Sequence, residues 1–129
     1  MKKIYLPKQA LVLLALLTGW VSVSAQETAQ REFIRAFQNA DMYYLYDGNY
    51  LKAASLYEPL HKANPDNYNL AAKLGICYLN IDGKKADALR LLKLASQGVV
   101  SSEKEYKQTG DKAPLDTYLY LATAFHQND

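Results

Sequence analysis

The sequence has little cysteine, little net charge and no common catalytic motif. A single cysteine among 129 residues excludes an internal disulfide framework and any zinc site built from several cysteines. The formal net charge of +2 is too small to indicate nucleic-acid binding, which needs a concentrated basic face. The sequence contains no HExxH, GxSxG, P-loop or CxxC pattern. It does contain eleven tyrosines, against three phenylalanines and one tryptophan, and its length suits one domain.

The first 25 residues have the order of a secretory signal peptide. Three lysines and no acid occupy the start, an unbroken apolar run follows at residues 10–17, and small residues lead to Ala25. The apolar run is shorter than the ~20 residues that a membrane-spanning helix needs, which disfavours the alternative of an uncleaved anchor. Cleavage after Ala25 would leave Gln26 at the N-terminus, and no cysteine follows for lipid attachment. We therefore predict an exported protein that is periplasmic or associated with the outer membrane, with no membrane span after cleavage.

Residues 26–129 show apolar residues at helical spacing and little sign of β-strands, which predicts an all-α fold. Turn signals separate four predicted helices, at about 28–46, 50–63, 67–80 and 84–96. Pro59 lies inside the second of these helices, where it removes a backbone hydrogen bond. We expect a kink or an early end of the helix at that point.

The chain after residue 96 is harder to interpret from its pattern. Residues 97–113 are polar and aperiodic, with a short helix expected at about 103–107. Pro114 suits the first turn of a fifth helix, predicted to run to about Gln127. The apolar face of that helix is predicted to consist of Tyr118, Leu121, Ala122 and Phe125.

The predicted helices form pairs that recur at a period near 34 residues, as the intervals from Ala40 to Leu74 and from Tyr44 to Tyr78 show. In its packing positions the sequence resembles the tetratricopeptide repeat (TPR) family, whose helical hairpins stack into an α-solenoid. The positions that carry the resemblance are Tyr44, Gly48, Tyr50, Ala53, Tyr57 and Pro65 in the first pair, Leu74, Gly75, Tyr78, Ala88 and Leu92 in the second, and Tyr118, Leu121, Ala122 and Phe125 in a third.

The resemblance implies about two and a half repeats after the signal peptide. They are repeat 1 at about 34–67, repeat 2 at about 68–100, a connector at 101–113 and a half repeat at 114–129. Each unit of a repeat array buries its apolar face against a neighbour. The half repeat would leave such a face open, so we expect a truncated chain that could associate with a second copy there.

A narrower resemblance rests on residues 112–126, KAPLDTYLYLATAFH, together with the signal and the repeats. This order is similar to the N-terminal region of Bacteroidetes cell-envelope proteins with TPR repeats. In those proteins a β-propeller and a peptidoglycan-binding domain of the outer-membrane-protein-A type follow, and some take part in type-nine secretion. The resemblance implies a place in the cell envelope, while neither downstream domain is present in this sequence.

In the TPR family the first helices of successive repeats line a concave groove that binds a partner. The residues at the corresponding positions of this sequence are a mixture of amides, charged groups, sulfur and aromatic groups. Such a mixture suits binding of an extended peptide, although an ordinary solvated helix face is an equal alternative. Carried over to this sequence, the groove would consist of Arg35, Gln38, Asn39 and Met42, then Asn69, Lys73, Ile76 and Asn80, and finally Asp116, Tyr120, Thr123, His126 and Gln127.

The residues that could support catalysis do not form a recognisable set. Cys77 lies in an apolar run and is expected to be a buried, inert thiol, and His61 and His126 are expected to be solvated. We predict no catalytic residue, no cofactor and no metal. The favoured function is a non-enzymatic scaffold that binds other envelope proteins or extended peptides. The alternatives are a sensory input region of a larger envelope signalling protein, or an assembly subunit of the envelope or secretion machinery truncated before its peptidoglycan-binding domain.

Overall fold

The chain is described by a computed structural model that places the backbone from Lys8 to Asp129 and the side chains from Val23 onward. Within these residues the regular structure is helical, apart from a single bridge between Val99 and Ala113. The predicted all-α fold is therefore confirmed. The elements are α1 (Lys8–Asp41), a π-helical segment (Met42–Tyr46), α2 (Tyr50–Ala63), α3 (Tyr68–Leu79), α4 (Lys85–Ser96) and α5 (Thr117–Asn128).

The chain divides into two compact units, residues 1–33 and residues 34–129. In the first unit, exposed side chains of Arg31 and Glu27 pair across one helical turn at 3.7 Å. The predicted signal peptide, 1–25, falls mostly on residues whose side chains are not described, so its cleavage stays a prediction. Over the described part of the chain, no helix has both the length and the hydropathy that a membrane crossing requires.

Local signals in the sequence account for the bounds of α2 and α3. The side chain of Asn49 accepts a hydrogen bond from the backbone of Lys52 at 3.0 Å, and Asn67 caps α3 in the same way. Gly48 adopts the left-handed conformation (φ 60°) that its predicted turn requires. The early end expected at Pro59 is wrong, because α2 continues to Ala63.

Residues 34–129 pack as sequential hairpins. In the first hairpin, Phe37 and Ala40 of α1 and Ala53 and Tyr57 of α2 are all fully buried. The rings of Phe37 and Tyr57 lie edge to face with their centroids 5.9 Å apart, and the ring of Tyr44 makes similar contacts with Tyr57 at 6.4 Å. Such aromatic pairs stabilise a core by about 0.5–1.5 kcal/mol beyond the area that they bury.

In the second hairpin, formed by α3 and α4, the close approach of the two helices explains the glycine at position 75. Helix α3 is buried from Asn69 to Tyr78 because other helices pack against several of its sides. A Cβ atom on Gly75 would lie 2.8 Å from Cγ of Leu92, so any larger residue would force α4 away. Ala88, also fully buried, allows the same close approach from the α4 side.

Helix α5 buries a different face from the one predicted. Thr117 and Ala124 are its buried residues, and Tyr120 and Leu121 pack against the core cluster of Ile76, Leu92 and Ala124. Of the predicted face only Leu121 is in this contact. The prediction is wrong for Tyr118, Ala122 and Phe125, which are exposed. Apolar residues lie on more than one face of this helix, and the face with Thr117, Tyr120, Leu121 and Ala124 is the one that packs.

The connector between α4 and α5 is a closed loop. The backbone of Val100 donates to the carbonyl of Ala113, and Ala113 donates to the carbonyl of Gly98, both at 3.0 Å. These bonds bring the two ends of the loop together, so its length does not separate α5 from α4. The short helix expected at about 103–107 is absent, and turns stand in its place. The helix predicted from Pro114 begins at Thr117.

Candidate functional site

Two adjoining pockets lie on the surface where α1, α3, the connector and the start of α5 meet. The first, which we name the tyrosine pocket, has a volume of about 340 Å³ and is lined by Tyr44, Leu45, Tyr46, Ala72, Lys73, Ile76, Tyr106, Gln108, Pro114 and Asp116. The second, the arginine pocket, has a volume of about 470 Å³ and is lined by Arg35, Gln38, Asn39, Asp41, Met42, Tyr46 and Gln108. Tyr46 and Gln108 belong to both pockets.

The π-helical segment supplies the apolar residues at the mouth of these pockets. A π-helical segment accommodates an extra residue within a helix and so changes the direction in which later side chains point. Tyr44 remains in the core, while Met42, Leu45 and Tyr46 are more than half exposed, Tyr46 at 76%. Neighbouring exposed apolar side chains of this kind are typical of interaction surfaces.

A buried carboxylate, Asp41, lines the arginine pocket and pairs with Lys73, which lines the tyrosine pocket. Asp41 accepts hydrogen bonds from the Tyr57 hydroxyl and from Nζ of Lys73, the latter at 2.6 Å, through one oxygen. Its other oxygen accepts from Nε2 of Gln108 at 2.9 Å. Asp41 and Lys73 are only 3% and 5% exposed, so they form a nearly fully buried ion pair. One side chain from α1 thereby joins α2, α3 and the connector.

Burial and bonding change the acidity of these groups. Burial lowers the pKa of Lys73, and the hydrogen bond from Lys73 to Asp41 offsets part of that effect. Burial first, and then the bond to the Asp41 carboxylate, raises the pKa of Tyr57 far above its usual value. Burial likewise raises the pKa of Tyr106 to about 12. Tyr57 and Tyr106 are therefore neutral hydrogen-bonding groups at physiological pH.

Asn69 fixes the connector to the N-terminus of α3. Its Nδ2 lies 2.9–3.3 Å from the carbonyl oxygens of Lys107, Gln108 and Gly110, and its Oδ1 accepts from the Tyr106 hydroxyl at 3.2 Å. The first backbone N–H groups of α3 donate to the carbonyl of Asp111 at 2.9 and 3.3 Å. These bonds hold residues 107–111 of the connector against the start of α3.

The structure divides the predicted groove residues into four groups. Four exposed residues come together in the arginine pocket: Arg35, Gln38, Asn39 and Met42. Three residues predicted on an open groove are instead buried: Asn69, Lys73 and Ile76. The connector bonds to Asn69, Asp41 bonds to Lys73, and Ile76 packs against Leu92 of α4 and Ala124 of α5. Asp116 lines the tyrosine pocket, and the others line neither pocket: Asn80, Tyr120, Thr123, His126 and Gln127.

Sequence reasoning did not identify Asp41, Gln108, Tyr106, Leu45 or Tyr46 as site residues. Asp41 carried a usable signal, since a charge directly beside Ala40 on a buried helical face needs a partner. Lys73 supplies that partner from the corresponding helix of the next repeat. Gln108 and Tyr106 carried no signal, because nothing in an aperiodic loop indicates where its residues fold back.

The other reactive side chains do not contribute to this surface. Cys77 is fully buried, and burial raises the pKa of its thiol to about 12, as expected for an inert cysteine. His126 is exposed, whereas His61 is half-buried and its Nε2 has no hydrogen-bond partner, so the prediction of a solvated His61 is wrong. Burial lowers the pKa of His61. Among the described residues, no three His, Cys, Asp or Glu side chains are arranged to hold a metal ion.

Comparison with protein families identifies the class of protein. The tetratricopeptide repeat model matches residues 44–108, which is half of the chain. The chain belongs to the tetratricopeptide repeat family. The predicted solenoid of helical hairpins is thus confirmed. Membership of this family suggests protein partners in general terms, and the family is typically non-catalytic. No curated protein and no solved structure matches the chain.

Proposed function

We propose that this protein is an exported scaffold that binds an extended segment of a partner protein across the tyrosine and arginine pockets. The observation that carries the proposal is the adjacency of the two pockets, which share Tyr46 and Gln108 and together join residues from α1, the π-helical segment, α3 and the chain between α4 and α5. An extended peptide can place successive side chains in neighbouring pockets. Exposed amides of Gln38, Asn39 and Gln108 offer donors and acceptors for its backbone.

The support for export and an envelope location is the sequence of the first 25 residues and the resemblance of residues 112–126 to cell-envelope proteins. We expect the chain, when it is expressed in a bacterium that has a periplasm, to be recovered from the periplasm. Its intact mass should show that Gln26 is the N-terminal residue. A Leu13→Arg variant interrupts the apolar run and should remain unprocessed. Wild-type protein that keeps residues 1–25 after export would refute cleavage.

The binding surface can be tested with Tyr46. Peptides that bind the purified chain would be enriched from a random peptide display library and their affinities measured by fluorescence polarisation. Tyr46→Ala removes the one large side chain shared by both pockets, and we expect affinities to fall about tenfold or more, as for an exposed aromatic anchor. Because Tyr46 is largely exposed, the fold should persist by circular dichroism.

Tyr118→Ala is the matched control, since Tyr118 is also an exposed tyrosine (53%) and lies outside both pockets. Equal effects of the two substitutions would place binding elsewhere on the molecule. The charge reversal Arg35→Glu tests the second pocket with Lys62→Glu as its control, because both side chains are exposed. Lys73 is unsuitable for charge reversal, because a buried carboxylate there would face Asp41 and disrupt the fold.

A further inference from the structure

The tyrosine pocket carries an unbalanced negative charge. Its charged lining residues are Lys73 and Asp116, and Asp41 lies directly behind Lys73. Asp41 and Lys73 neutralise each other, which leaves the exposed carboxylate of Asp116. That carboxylate makes no capping hydrogen bond to α5, and no ion pair of the described residues includes it. The pocket therefore presents one exposed carboxylate that takes part in no capping bond and in no ion pair of the described residues.

Lys73 is not available to bind a ligand carboxylate. Its side chain is 6% exposed, and its Nζ is held by Asp41 at 2.6 Å. Its Nζ also lies 5.0 Å from the ring centroid of Phe37 and 5.8 Å from that of Tyr44, so aromatic faces surround it. An acidic partner segment would meet the Asp116 carboxylate in this pocket without a free cation to compensate for it.

The remaining lining favours a cation with an apolar stem. Tyr44, Tyr46 and Tyr106 contribute three aromatic rings, and the faces of such rings attract ammonium and guanidinium groups. Leu45, Ile76 and Pro114 supply apolar contacts suited to a methylene chain. A volume of about 340 Å³ lies at the small end of the ~300–1,000 Å³ that ligand pockets span, which suits a single side chain.

We propose that the tyrosine pocket binds a lysine or arginine side chain of the partner segment, with Asp116 as its counter-ion and the three tyrosine rings around its stem and head. This assignment rests on the proposed function, because it specifies the residue that the scaffold selects. The negative charge of the pocket predicts that the bound peptide is basic. Selection of an acidic or purely apolar peptide in the test would contradict the proposal.

The test uses peptides enriched from the random display library by the purified chain. We expect a lysine or arginine at one fixed position of the enriched set, and replacing it with glutamine should weaken binding. Asp116→Asn should weaken binding of the basic peptides about tenfold and reduce the dependence of affinity on salt. Asp116→Glu should retain most of the affinity, which separates loss of charge from damage to α5.

Glu103→Gln is the control, since Glu103 is an exposed carboxylate on the neighbouring connector and lies outside both pockets. Equal effects of Asp116→Asn and Glu103→Gln would overturn the assignment, as would enriched peptides without a fixed basic residue. If those peptides still depend on Tyr46, the scaffold proposal stands and only the basic specificity fails. A library that yields no binding peptide would overturn both proposals.

Discussion

Replacing Asp41 with alanine should lower the free energy of unfolding by about 3–5 kcal/mol, because it leaves the ammonium of Lys73 buried without a partner. Lys73 is 5% exposed, and Asp41 provides its hydrogen bond. The substitution also removes the acceptors of Tyr57 and Gln108. Because a domain of this size is stable by only about 5–15 kcal/mol, this loss is a large share of the total. Urea denaturation followed by circular dichroism measures it.

An exposed carboxylate provides the comparison for this prediction. Asp87 pairs with Lys84 and Arg90 at 3.8 Å, but all three side chains are at least 44% exposed, so Asp87→Ala should cost less than about 1 kcal/mol. In the double variant Asp41→Leu with Lys73→Met, both buried charges are absent and most of the stability should return. A loss for Asp41→Ala no greater than that for Asp87→Ala would show that the ion pair is not the structural centre described above.

Replacing Gly98 with alanine should destabilise the protein by about 1–3 kcal/mol through overpacking. A Cβ atom at this position would overlap Cγ and Cδ2 of the Tyr68 ring, which are not the flexible end of that side chain. Gly98 also anchors the closed loop, since its carbonyl accepts from Ala113 at 3.0 Å. The need for glycine arises from this close approach, because Gly98 does not have a positive φ.

A second substitution separates steric overlap from backbone effects at this position. In a Tyr68→Ala background the ring is absent, so Gly98→Ala should cost little further stability, and a double-mutant cycle measures the coupling. Gly48→Ala is the opposite case, because Gly48 has φ 60° and open space around its Cβ position. Its cost of about 1 kcal/mol should persist unchanged in the Tyr68→Ala background. Additive costs for Gly98→Ala and Tyr68→Ala would contradict the steric explanation.

The sequence predicts the helical hairpins well because their signals are local. Asparagine caps, Gly48 and the spacing of small and aromatic residues act within a few positions of one another. The positions of Ala53, Gly75 and Ala88 are predictable for the same reason, since each is set by the contact between two helices adjacent in the sequence. The buried face of α2, with Ala53 and Tyr57, follows directly from its period.

The candidate site is less predictable because it depends on distant contacts. Of the residues in the groove hypothesis, Arg35, Gln38, Asn39 and Met42 line one pocket, because they follow closely along α1 and the start of the π-helical segment. The hypothesis treated Asn69 and Lys73 as exposed because the helical period cannot show that the connector returns to cover α3. Both faces of α5 are apolar, so its pattern alone cannot select the face that packs against α4.

The hydrogen bond from Gln108 to Asp41 joins residues 67 positions apart and limits how far this protein can be treated as modular. Repeat arrays are usually exchangeable piece by piece, because each repeat contacts only its neighbours. Here a side chain from the chain between α4 and α5 bonds to α1. The shortest stretch of sequence that contains all lining residues of both pockets therefore extends from Arg35 to Asp116. A consensus repeat substituted within that segment could preserve every helix and still lose the recognition surface.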